Sequence, residues 1–132
     1  MQHFVGGAEY TVSSVSFGVF SGSATVIVRL YANNGAPFPT GFPGSLTQIG
    51  TTTLSVTSGQ GGTVVTTPLV ATAPAGTHEL VMELYVPELA GFLFPGANTA
   101  PETGPSYWSS VDSANCGATP GVISSHLVFN VY

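Results

Sequence analysis

The stretch "SSVSFGVFSGSATVIVRLY", Ser13 to Tyr31, decides the fold class. Val15, Phe17 and Val19 alternate with Ser14, Ser16 and Gly18. Further on, Ala24, Val26, Val28 and Leu30 share one face while Thr25, Ile27, Arg29 and Tyr31 share the other. A period of two is the signature of a half-buried strand, because successive side chains leave a strand on opposite sides. The "FSGS" between the two runs, Phe20 to Ser23, reads as a hairpin turn.

The same period recurs along the chain. "LTQIGTTTLSV" and "TVVTTPLVATA" read as strands, the second with Pro68 inside it, which predicts an edge or a bulge. "HELVMELYV" puts Leu80, Met82, Leu84 and Val86 on one face and Glu79, Val81, Glu83 and Tyr85 on the other. A short strand is expected over Phe92–Phe94. The chain closes on "VISSHLVFNVY", where Leu127, Phe129 and Val131 alternate with His126, Val128 and Asn130. "SGQGG" and "PAGT" are turns. Helix signals are nearly absent, and 17 glycines and 10 prolines punctuate the runs. The expectation is an all-β chain: one antiparallel β-sandwich, jelly-roll-like, of seven or eight strands spanning residues 1–132 as a single domain.

Composition excludes several classes of partner. Charged residues are 5% of the 132 positions, there is no lysine, and Arg29 is the one strong base against six acids. A soluble domain ordinarily has about a quarter charged residues. One arginine cannot form the basic patch that phosphate binding needs, so nucleic acid is not an expected partner. No apolar run approaches the roughly 20 residues of a membrane helix. "MQHFVGGAEY" has neither a charged n-region nor an apolar h-region, so no signal peptide is read there. With few like charges to oppose association, solubility falls to Ser and Thr hydroxyls. That surface suits an extracellular β-protein and close packing against copies of itself.

The one cysteine, Cys116, allows no internal disulfide and supports no zinc site, since His3, His78 and His126 are scattered. It reads as a small packed hydrophobe. No cofactor is expected; the alternative is calcium at Asn98, Glu102, Asp112 and Asn115, in or beside one long loop. The oxygen count falls short of the usual 6–8, and turn-forming Asn and Asp bonds account for the same residues. Catalysis is not expected. His126 sits in a period-two strand, no G-x-S-x-G elbow accompanies it or Asp112, and Glu79 and Glu83 are explained by a solvated strand face.

Two loops concentrate aromatic residues. "ANNGAPFPTGFPGS", Ala32 to Ser45, carries Phe38 and Phe42 among prolines that forbid a central strand, with Tyr31 just before it. "PETGPSYWSSVDSANCG", Pro101 to Gly117, carries Tyr107 and Trp108 beside Glu102 and Asp112. If the two loops meet at one end of the sandwich, these seven residues form an aromatic cleft able to stack on a polysaccharide. The alternative is that the rings fold back as packing anchors. The apolar N-terminal stretch, Met1, Gln2, His3, Phe4 and Val5, is expected either to contact another chain or to lie against the sheet.

"LVMELYVPE", "FPGANTAPETGPSYWSS", the Cys116–Gly117 pair and "HLVFNV", with "VSSVSFGVFSGS" and "FPGSLTQIGTTTLSV" in the first half, resemble a β-sandwich domain of secreted bacterial proteins. There the domain accompanies proteases, adhesion modules and surface-anchored chains. The resemblance runs from about Tyr10 to Tyr132 and departs in the short segment between Cys116 and His126. It implies an extracellular, non-catalytic accessory module, and it implies no particular ligand. The function expected is thus structural or adhesive, by self-association or by packing on a parent or surface protein. Carbohydrate binding through the loop aromatics is the alternative.

Overall fold

A computed structural model of the chain describes residues 2–3, 8–40, 42, 44–87, 89–99, 101, 106–108, 121–123 and 126–132. Among them lie eleven strands and one 3-10 turn, Ser58–Gln60, with no α-helix. The strands are β1 (Gln2–His3), β2 (Tyr10–Asn33), β3 (Leu46–Val56), β4 (Thr63–Ala73), β5 (Glu79–Tyr85), β6 (Gly91–Pro95), β7 (Ala97–Asn98), β8 (Ser106–Trp108), β9 (Gly121–Ile123), β10 (His126–Leu127) and β11 (Phe129–Val131). Seven of them, β1 to β6 and β11, make one antiparallel sheet. The pairs β7–β10 and β8–β9 stand beside it. The all-β, sandwich-like class expected from the alternation is the one observed.

β2 organises everything else. Its first half, Tyr10 to Val19, pairs with β4, and its second half, Ala24 to Asn33, pairs with β3. β5, β6 and β11 also pair with it, over Ile27–Asn33, Val19–Ala24 and Val15–Phe17. The expected hairpin at Phe20–Ser23 is therefore absent: the strand runs through it for 24 residues. The turn-like sequence bends instead of reversing because β6 lies alongside and offers hydrogen-bond partners to its backbone. Gly22 sits at φ +123° and Gly91, facing Ala24, at +102°. Both values are open to glycine and strained for other residues.

The inward set changes phase along β2. Val12 is buried, then Val15, Phe17 and Val19, then Ala24, Val26, Val28 and Leu30. A regular strand cannot bury both odd and even positions on one side. Register irregularities between Val12 and Ser14 and between Val19 and Ser21 supply the two switches. Both halves of β2 feed one core, joined by Val56, Val65, Leu69, Ala71, Ala73, Leu80, Met82 and Val131. The sheet is thus folded over on itself, and its two layers meet closely: a Cβ at Gly50 of β3 would stand 2.7 Å from Leu69 Cδ2 and 2.9 Å from Ala71 Cβ of β4.

Pro68 does what its sequence position predicts. It lies in β4, whose hydrogen-bonded neighbour among the described residues is β2 alone, and opposite the Ser14 end of the first irregularity. β11 is tied in by backbone bonds: Ser13 N–H and Ser14 N–H donate to the Tyr132 carbonyl at 2.7 and 3.3 Å, and Tyr132 N–H donates to Ser14 O at 2.9 Å.

Candidate functional site

The functional candidates gather where β2 ends and the Pro-rich connection begins. Asn33 and Glu79 are directly opposite in the β2–β5 register, and both are buried. Asn33 Nδ2 donates to Glu79 Oε2 and to the Ala36 carbonyl, each at 2.9 Å, while Asn33 Oδ1 accepts from Gly35 N–H at 3.1 Å. Phe38 N–H donates to the same Glu79 oxygen at 2.9 Å. The expected solvated face holds for Glu83 but not for Glu79, which is 4% exposed. A buried carboxylate is costly unless hydrogen-bonded. Here Asn33 at the end of β2 and Phe38 N–H of the connection supply the donors, so the acid serves as a post to which the loop is tied.

Beside that post Phe38 of the Pro-rich connection meets Tyr107. The rings of Phe38 and Tyr107 lie 4.8 Å apart at 80°, and those of Phe38 and Phe42 5.6 Å apart at 82°. Edge-to-face packing of this kind is favourable in itself. It also means that each ring uses part of its surface on a neighbour, in place of a row of open parallel faces. Tyr107 is set by β8, opposite Val122 of β9.

Tyr31 belongs to a second group on the outer face of the sheet. Its hydroxyl donates to Glu83 Oε2 at 2.9 Å, and Arg29 Nη1 donates to the same oxygen at 3.0 Å. The Arg29 guanidinium stands 4.7 Å from the centre of the Tyr85 ring, within cation–π range. Burial, then the Glu83 carboxylate, pushes the Tyr31 phenol above its usual range. Burial works against the Arg29 charge, but the bond and charge of Glu83 outweigh it and hold the guanidinium above its usual value. The chain's one arginine is thereby neutralised within the molecule. At this degree of exposure such a pair contributes about 0–1 kcal/mol.

No protein-family model, curated protein or solved structure matches the chain.

The seven residues expected to form one cleft divide. Phe38, Phe42 and Tyr107 come together, and Tyr31 joins Glu83. Trp108 is described through its backbone, opposite Gly121, and Glu102 and Asp112 lie outside the described residues, as does Cys116. Of the N-terminal stretch, Gln2 and His3 pair with Leu80 and Glu79 of the same chain. Met1, Phe4 and Val5 lie outside the described residues. Of the calcium candidates, Asn98 is in β7 opposite His126, and Asn115 is outside. Among the described residues no three His, Cys, Asp or Glu side chains gather in a way that could hold a metal, and no helix is long and apolar enough to cross a membrane.

Sequence reasoning missed one surface. Phe92 and Phe94 of β6 point outward, 60% and 58% exposed, with their rings 5.7 Å apart. Phe20, at the irregularity in the adjoining part of β2, is 71% exposed, and Leu89 in the preceding turn is 99% exposed. The signal was present as "GFLFP", two phenylalanines at i and i+2. The two-residue spacing leaves open which side faces the core. Leu93 took the inside, against Gly22, which leaves both rings outside.

Proposed function

We propose that this chain is a non-catalytic, extracellular structural or adhesive module that acts by packing against copies of itself. The observation that carries the reading is the outward ridge of Phe92 and Phe94 on β6, with Phe20 exposed on the adjoining part of β2. Rings this exposed are unusual for a surface that faces only water. They stand on a chain with one basic residue, so little charge competes with apolar contact around them. The low charge, the hydroxyl-rich strands and the resemblance to accessory domains of secreted proteins support the extracellular setting.

The test is the absolute mass of the purified chain by light scattering, with electron micrographs of the same sample. The expected mass exceeds the 13.4 kDa of one chain and falls in a Phe92→Ser/Phe94→Ser variant that keeps its melting temperature. A native protein that stays at one chain's mass at every concentration tried would sink the reading.

One observation favours a second reading, carbohydrate binding. The Pro-rich loop and β8 bring Phe38, Phe42 and Tyr107 together, the meeting that an aromatic sugar site requires. It predicts a monomer that binds a polysaccharide and loses that binding on Tyr107→Ala or Trp108→Ala.

A further inference from the structure

The chain has no Asp, Glu, Lys or Arg from Leu30 to His78. That span supplies β3 and β4, which hydrogen-bond to β2 and, among the described residues, to no other strand. An open strand edge presents backbone N–H and C=O groups that a second chain can pair with, and proteins guard such edges with charge, proline, bulges or short length. β4 is guarded by Pro68, which has no N–H, and by the irregularity opposite Val12–Ser14. β5 carries Glu79 and Glu83 and is met by β1 at Glu79 and Leu80. β6 and β11 are five and three residues long. β3 is different. Its one irregularity leaves out Ile49, near its start. From Gly50 to Val56 it pairs regularly with Leu30 to Ala24, with neither proline nor charge.

We propose that Gly50–Val56 of β3 is a homotypic interface, at which the strand adds antiparallel to the same strand of a second copy and continues the sheet across a two-fold axis. This rests on the association reading above and names a surface for it. Charge selects the occupant. Each copy carries −5, so most approaches of two copies bring like charges together. Here the nearest charge behind the edge is Arg29, opposite Thr51, and Glu83 already neutralises it. A charged partner would find no counter-charge on β3, whereas a like strand meets hydroxyls. An axis through Thr53 sets Thr53 against itself and Thr51 against Ser55. All three side chains are exposed, and Thr–Thr and Thr–Ser pairs are favourable across antiparallel strands.

The experiment is light scattering on the full native chain and on Thr53→Lys, Thr53→Glu and Thr66→Lys, the last an exposed position on β4. Like charges set directly opposite one another repel, so Thr53→Lys and Thr53→Glu each lower the native mass. An equimolar mixture of the two restores it, and Thr66→Lys leaves it unchanged. Melting temperatures within a few degrees of native establish that the variants are folded. If the native mass exceeds one chain but Thr53→Lys and Thr53→Glu leave it unaltered, the β3 assignment is wrong and the association reading stands. If the native chain is monomeric throughout, both are wrong.

Discussion

Glu79 shows how far a residue's role depends on what covers it. The alternation of "HELVMELYV" correctly puts Glu79 and Glu83 on the same side of β5, away from Leu80 and Met82. It does not distinguish them. Glu83 stays at the surface and pairs with Arg29, whereas the Pro-rich connection closes over Glu79 and donates Phe38 N–H to it. Removing the carboxylate takes one of two acceptors from the buried Asn33 Nδ2 and the acceptor of the part-buried Phe38 N–H, and hydrogen bonds to charged groups are worth about 1.5–3 kcal/mol. Glu79→Ala is therefore expected to lower stability by about 2–3 kcal/mol in urea unfolding and to speed amide exchange at Phe38. Glu79→Gln keeps an acceptor and costs less. An unchanged urea midpoint for the alanine variant would mean that the Phe38–Phe42–Tyr107 contacts hold the connection without the post.

At the scale of elements, β2 is the instructive case. Every inward residue of its two runs was legible, because hydrophobic periodicity reports local geometry. Whether "FSGS" reverses the chain or bends it was not, because that depends on β6, which arrives some seventy residues later and takes up the backbone of Val19–Ala24. Pro68 was more readable, since a missing N–H limits a strand position whatever its neighbours. The bend rests on glycine. A side chain at Gly22 would be strained at its positive φ, and its Cβ would press on the Phe92 carbonyl and on Leu93 Cα, 3.0 Å away. Strained backbone alone costs about 1–3 kcal/mol, and the backbone contact adds to it. Gly22→Ala should therefore lose at least that much in urea or thermal unfolding and should disturb the ridge beside it. A variant as stable as the native chain would show that the bend tolerates a Cβ after all.

For the whole molecule, the proposed association would be governed by the sparse charge more than by any one contact. Copies at −5 repel, and added salt screens that repulsion over about 10 Å at 0.1 M. The mean mass is expected to rise as salt is raised from about 0.01 to 0.15 M, and again as pH falls toward the isoelectric point near 4.7. Sedimentation velocity at fixed protein concentration reads both. A mass that falls with salt would mean that the copies are held by ion pairs, contrary to an interface built from β3 and the phenylalanine ridge.

The sequence by itself determined the class of the protein. Period-two alternation, scattered glycine and proline and an almost complete lack of charge are local properties, and they specify strands with one apolar face. It also sets an expectation about partners: one arginine is too little for a phosphate-binding patch, which argues against nucleic acid. Tertiary structure alone decided which residues are available. Glu79 is buried by a loop, Phe92 and Phe94 are exposed because Leu93 took the inner side, and β3 is an edge because the described strands pair elsewhere. Each depends on contacts between segments far apart in sequence, and side-chain periodicity carries no information about which segments will meet.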